Sequence, residues 1–230
     1  MMNASSRMER FGGGAAMLLA VVTVLAALAY VLLPAEERLG VPGRQLLPAF
    51  AANPLLLQLE MGLLALMGVV GLAVVRPIRT LLGGEDPWLR WASTLAIVGY
   101  AIGAVGNTLV MGKLPGIANA FVAADEAGKS VIAAFWRTTL DPWGLWQFGA
   151  VGLWLLLVGY VAWRTRAIPA IGAYLALAAG VAHVAFPVVL LLAASSALVV
   201  VAIVAAVVMA AWFGWVGLLL WRRSEATQPG

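Results

Sequence analysis

Six apolar runs, each long enough to cross a bilayer, occupy most of this chain: Gly12–Pro34, Pro54–Val75, Trp88–Gly112, Trp143–Trp163, Pro169–Ala194 and Ala197–Trp221. A span needs roughly 20 mostly apolar residues at 1.5 Å of rise each, and all six qualify. The expected fold is all-α, a polytopic integral membrane bundle of six transmembrane helices. It forms a single transmembrane domain over residues 1–230, with short cytoplasmic tails at 1–11 and 222–230. Charged residues are 10% of the chain, against roughly 25% in soluble domains. The longest segment between spans, Gly112 to Trp143, is too short for a separate water-soluble domain.

Arg7 and Arg10 ahead of the first run resemble the start of a signal peptide. The run that follows exceeds the about 7–15 apolar residues of a signal core, so it reads as a helix. The isoelectric point near 10.0 does not imply a nucleic-acid partner, because the basic residues cluster at helix ends. The partner that the composition implies is the lipid bilayer, with a membrane-protein partner or a second copy of the chain left open. The absence of cysteine excludes disulfides, thiolate metal sites and cysteine nucleophiles.

Lys and Arg at alternating helix ends give the orientation. One side collects nine: Arg7, Arg10, Arg76, Arg79, Arg90, Arg164, Arg166, Arg222 and Arg223. The other collects five: Arg38, Arg44, Lys113, Lys129 and Arg137. The richer side is cytoplasmic by the positive-inside rule, which puts both termini inside.

The inner connections are short and basic, whereas the first two outer ones are longer and amphipathic. Between Ile117 and Trp136 the residues Ile117, Phe121, Val122, Ile132, Phe135 and Trp136 recur at helical spacing, with Asn119, Asp125, Glu126 and Lys129 between them. That pattern predicts an extracytoplasmic amphipathic surface helix. Arg44–Ala52, with Leu46, Leu47 and Phe50, reads as a shorter one. The third outer connection, Ser195-Ser196, is a tight turn. Trp88, Trp91, Trp136, Trp143, Trp146, Trp163 and Trp221 fall at span ends, where interfacial anchoring accounts for them.

A parallel repeat over 36–112 and 113–194 is also expected. Asn53-Pro54 opens the second span and Asp141-Pro142 the fourth, each an Asx cap with proline in the first turn. Arg76 and Arg164 each follow 23 residues later. Generic caps and basic stops give the competing explanation. Gly99-x-x-x-Gly103 in the third span, and Gly172, Ala176 and Gly180 in the fifth, are faces along which helix backbones can approach closely.

Intramembrane polar groups supply the candidate ligand-binding site. Glu60 lies roughly 9 Å into the second span at 1.5 Å per residue, and Gln147 sits at similar depth in the fourth. Asn107 is near the outer end of the third, and His183, the sole histidine, lies deeper in the fifth. A charge at the bilayer centre costs at least about 2.5 kcal/mol, so these four should face the bundle interior. Pro187, one turn beyond His183, can kink its helix and free a carbonyl. Glu60 can carry a proton, and His183 can relay one or ligate a haem or metal-centred pigment. The bland alternative is that all four are interhelical hydrogen-bonders. The sequence points to no catalytic residue, no metal site and no particular cofactor. With Lys113 and Lys129 outside the spans, a retinal Schiff base within the bundle is excluded.

The stretch Leu153–Gly180 resembles a bacterial family of multi-span membrane proteins that is a domain of unknown function. The likeness rests on Leu155-Leu-Leu-Val-Gly-Tyr160, Arg164-Thr-Arg166, Ile168-Pro169 and Gly172-Ala-Tyr-Leu-Ala-Leu-Ala-Ala-Gly180. It implies the helix count and a bacterial cytoplasmic membrane. It carries no activity and no site residue.

Three function classes stay open. The first is binding of a small or lipophilic ligand in an outward-facing polar pocket, as sensor or transporter. The second is an accessory subunit of a larger membrane complex, its polar cluster structural. The third is a small intramembrane enzyme such as a terpenoid cyclase with Glu60 as acid. The enzyme is the weakest, because cyclisation wants two converging carboxylates and the spans offer Glu60 alone. The topology is directly testable: in a native chain without cysteine, a cysteine introduced at Asp125 should react with an impermeant maleimide from the outer side only. Labelling from the cytoplasmic side alone would invert the orientation.

Overall fold

The computed structural model describes residues 4–136, 139–192 and 195–226. Arg137, counted above among the outer basic residues, lies outside the described residues, and Ser195-Ser196, expected as a tight turn, are instead the first residues of the last helix. The helices are α1 (Ala4–Leu32), α2 (Gly43–Ala52), α3 (Leu55–Leu81), α4 (Pro87–Ala123), α5 (Glu126–Phe135), α6 (Val151–Thr165), α7 (Ala170–Leu191) and α8 (Ser195–Ala226). A π-helical turn, Leu145–Ala150, leads into α6. Six helices are long and apolar enough to cross a membrane, and they correspond to the six runs. The chain is therefore an all-helical multi-pass membrane protein. Both tails are partly helical, since α1 begins at Ala4 and α8 runs to Ala226.

The spans close into a ring in chain order. α1 packs on α3, α3 on α4, α4 on the start of α6, α6 on α7, α7 on α8, and α8 returns to α1. The main core fills the inner part of this ring, where Trp154, Trp212 and Phe213 are fully buried. The outward faces carry apolar residues such as Leu28, Val69, Val105, Val181 and Val207, each more than half exposed. A surface of that kind suits lipid and not water.

Where helices press closest, glycine removes the obstacle. A Cβ at Gly68 of α3 would lie 2.5 Å from the Ala104 amide nitrogen and 2.6 Å from the Tyr100 carbonyl of α4. The stripe on α7 serves two neighbours: Gly172 receives the Trp215 ring of α8, and Gly180 faces Leu156 and Gly152 of α6.

The outer surface differs from expectation in how it is divided. The helix starting at Pro87 does not stop near Gly112 but continues through Pro115 to Ala123, about 55 Å at 1.5 Å per residue. That exceeds the roughly 30 Å hydrocarbon layer, so the helix is longer than a span needs. Pro115 does not break it because Leu114, Ala118 and Phe121, one face at helical spacing, are buried against Leu46, Leu47 and Phe50 of α2. Apolar burial there outweighs one lost backbone hydrogen bond. The predicted helix Ile117–Trp136 is thus two pieces, broken at Ala124, where Asp125 accepts from the Gly128 amide (2.8 Å) and starts α5.

Glu126 pairs with Lys129 within α5 (3.1 Å) and ties α5 to α2 through Arg44 (3.3 Å), which also donates to Ser130 (2.6 Å). Hydrogen bonding and charge from Lys129 first, then Arg44, hold the exposed Glu126 carboxyl below its usual range. Trp136 is no free anchor, since its ring lies over Gly43, where a Cβ would meet it. On the opposite surface Asp86 caps α4 through the Trp88 and Leu89 amides and accepts from Arg164 at 2.8 Å. Arg10 stacks over Trp221 at 4.9 Å. Trp88, Trp91, Trp143, Trp146 and Trp163 are exposed, as belt residues would be.

The two hairpins of the expected repeat, α3–α4 and α6–α7, each pack as adjacent helices. Their starts are built differently. Pro54 directly precedes Leu55 with no side-chain cap, whereas the Asp141-Pro142 side begins with a left-handed Gly144 and a π turn.

A contrast between two glycines of the α3–α4 pair tests this packing. Gly68→Ala should destabilise by about 1–3 kcal/mol through overpacking. Gly106→Ala, where a Cβ meets nothing within 4 Å, should change stability by no more than about 1 kcal/mol, in the stabilising direction. Thermal unfolding in mild detergent reads both.

Candidate ligand chamber

The outer part of the bundle is shaped by the way α6 begins. Gly144, at φ 68°, turns the chain, and the Asp141 Oδ2 accepts from the Trp146 (2.9 Å) and Gln147 (2.8 Å) amides. Those are two of the donors that a helix start leaves without intrahelical partners. The turn then runs as a π segment, with the Phe148 and Gly149 amides both donating to the Gly144 carbonyl. It can lie against α4 because Gly99 and Gly103 have no side chains. A Cβ at Gly99 would sit 2.5 Å from the Trp146 carbonyl oxygen, and one at Gly103 would sit 3.0 Å from Gln147 Cγ. The small-residue motif of the third span is therefore the seat of the π turn, and it delivers Gln147 to α4.

One helical turn beyond Gly103, Asn107 meets Gln147. Asn107 Nδ2 donates to the Gly103 carbonyl (2.7 Å) and to Gln147 Oε1 (3.0 Å). The Gly103 carbonyl can only accept, so the orientation of Asn107 follows, and that of Gln147 after it. Asn107 is 9% exposed, and Gln147 is partly buried.

Glu60 and His183 are both buried and lie on chambers beside this pair. An upper chamber of about 120 Å³ is lined by Glu60, Asn107 and Gln147. A deeper chamber of about 80 Å³, reaching between α1 and α8, is lined by Glu60 and His183. The two share Leu39, Glu60, Leu64, Phe148 and Phe186. The chambers occur where three apolar clusters meet: the ring core, the cap formed by α2 with the end of α4, and a smaller group around Phe186. Glu60 has no hydrogen-bond or ion-pair partner among the described residues. His183 Nδ1 bonds the Ala179 carbonyl at 3.0 Å, so Nδ1 carries the hydrogen and Nε2 is the remaining ring nitrogen. Pro187 has no N–H, which removes the helical donor from the His183 carbonyl. Among the described residues no three His, Asp or Glu side chains gather as metal ligands.

The loops and α1 contribute groups that span-by-span reading missed. Tyr30 and Thr23 line the deeper chamber, and Glu37, Arg38 and Asp141 line the upper one. The Tyr30 hydroxyl and Glu37 Oε2 are buried without partners among the described residues. Burial, and then the neighbouring Glu36, pushes the Glu37 carboxyl above its ordinary range. Arg38 is committed to the end of α1, donating to the Leu33 (3.1 Å) and Val31 (3.2 Å) carbonyls, as basic residues do at helix C-termini. A tyrosine in the last turn of an apolar helix, Tyr30, six residues before the acidic-basic run Glu36-Glu37-Arg38, was the available signal.

The Asp141 cap is the part of this geometry most open to test. Asp141→Ala should destabilise the protein by about 0.5–2 kcal/mol, the range for lost helix caps. Asp141→Asn should retain most of the stability, because its amide oxygen still accepts. Equal loss from both variants in thermal unfolding would show that the carboxylate charge, and not the cap geometry, is what matters.

Comparison with known proteins places the chain without naming an activity. No curated protein and no solved structure matches it. The sequence model of one family does, over residues 14–222, which takes in all six spans and every chamber residue named here. The resemblance seen in Leu153–Gly180 thus extends across nearly the whole chain, which belongs to the family described as a domain of unknown function, DUF4386.

Proposed function

We propose that this protein binds a small amphiphilic ligand in the paired chambers, in a sensor or transport role at the bacterial cytoplasmic membrane with both termini inside. The observation that carries the proposal is Glu60: 3% exposed, unpaired among the described residues, and on the wall common to both chambers. An ionisable group within a membrane is expensive to keep and marks a functional position by default. Purely structural polar residues would exhaust their hydrogen-bonding capacity on one another. Asn107 and Gln147 do so in part, and Glu60 does not.

Native mass spectrometry of the protein released from mild detergent tests this reading. Wild-type protein should retain a small molecule that Glu60→Leu, His183→Leu and the double variant lose while remaining folded. Retention of a stoichiometric membrane-protein partner, with no small molecule in any form, would replace ligand binding by the subunit role.

A further inference from the structure

The hydrogen-bonding inventory of the chambers points to a ligand class. Asn107 uses both amide hydrogens, on Gly103 and Gln147, so its Oδ1 remains as an acceptor. His183 donates from Nδ1 to Ala179, so in the neutral ring Nε2 accepts. Glu60 adds two oxygens and Glu37 a buried one. The donors on the walls are the Gln147 amide, the Tyr30, Thr23 and Thr139 hydroxyls, the Trp136 ring N–H and the Arg38 guanidinium. Two of the acceptors, Glu60 and Glu37, are buried carboxyls without a cationic partner among the described residues.

The charges lean the same way. Glu37, Glu60 and Asp141 line the upper chamber against the single guanidinium of Arg38, which is engaged with the α1 carbonyls. Clefts lined by one sign of charge concentrate ligands of the other sign. The deeper chamber beyond Glu60 is apolar, walled by Ala26, Ala27, Ala202, Ile203 and Ala206 of α1 and α8. A complementary molecule carries several N–H donors and a positive charge at one end and hydrocarbon at the other.

Resting on the binding role proposed above, we infer that the ligand is a lipophilic primary amine, its ammonium held at Glu60 and its hydrocarbon lodged between α1 and α8. The ammonium supplies three donors and the counter-charge that Glu60 lacks. Asn107 on the upper chamber and His183 on the deeper one flank Glu60, which lines both, as further acceptors. A free alkylamine and an aminophospholipid headgroup share this chemistry.

The test uses the full chain in neutral detergent with three probes of equal chain length: dodecylammonium, dodecanol and dodecanoate. Dodecylammonium should bind roughly tenfold or more tightly than dodecanol, as a charge-assisted hydrogen bond implies, and dodecanoate should bind most weakly. Glu60→Gln should erase the preference for the amine. Where that variant does not fold, the ranking of the three probes on wild-type protein decides. Stabilisation in nanodiscs by phosphatidylethanolamine but not phosphatidylcholine, which has no N–H, assigns the amine to a lipid headgroup. Stabilisation by dodecylammonium with no effect of phosphatidylethanolamine assigns it to a free amine. Equal binding of all three probes would overturn the amine and leave the ligand-binding role standing. Binding of none would overturn both.

Discussion

Hydrocarbon offers no hydrogen-bond partner, and this constraint orders the rest of the molecule. Backbone groups must close on themselves, so each apolar run becomes a helix. Side chains that still need partners must turn away from lipid, so helices with one polar position each acquire an inside. Six such helices meet that demand by packing each on the next, with α8 returning to α1. The interior of the ring is then the one place where Glu60, Asn107, Gln147 and His183 avoid lipid. Packing alone does not explain why they sit together on chamber walls. For that the ring must be incompletely filled at one level.

The incomplete filling has a local cause. Along α6, beginning directly after the π turn, small residues draw α6 and α7 together, with Gly152 against Gly180 and Gly159 against Leu177, and Trp154 and Trp212 are fully buried beside them. Towards the outer surface, α6 gives way to the π turn. A π turn is wide and places successive side chains differently from an α-helix, and here it holds Gln147 on α4 while Phe148 lines both chambers. Phe148 packs on Phe186 at a centroid distance of 4.4 Å. The aromatic pair thus stands between the two chambers, where a leucine-packed α-helical turn would have closed the gap.

Much of this was legible in sequence, for reasons that differ by residue. The spans follow from run length, and α2 from Leu46, Leu47 and Phe50 on one face. The depths of Glu60, Asn107, Gln147 and His183 follow from counting along helices. Rotation about each axis does not, because it depends on neighbours that one sequence leaves unspecified. The extension of α4 was hidden by Pro115, a local breaker overruled by tertiary burial of Leu114, Ala118 and Phe121. Trp136 read as an anchor because its position matched the belt, whereas its contact with Gly43 is made across more than ninety residues. The π turn had a visible cue in Gly144 after Asp141-Pro142, but the spacing from Asp141 to the amides it caps is five and six residues. An ordinary N-cap reaches two or three.

The same geometry bears on how a ligand would reach Glu60. The residues shared by the two chambers are the acid itself and four apolar side chains, Leu39, Leu64, Phe148 and Phe186. Three of these four belong to membrane helices or the π turn, fixed by their own packing. Leu39 does not: it lies between the single helical turn at Ala35–Glu37 and the start of α2, directly before Gly40 at φ 94°. That segment is held by Arg38 at the end of α1 and by α2, whose tie to α5 is the exposed Arg44–Glu126–Lys129 group. Exposed ion pairs contribute little each, so α2 owes its place to apolar burial against the end of α4 and to the Trp136 ring over Gly43. Of the residues bounding the passage, Leu39 is therefore the one that no regular helix fixes.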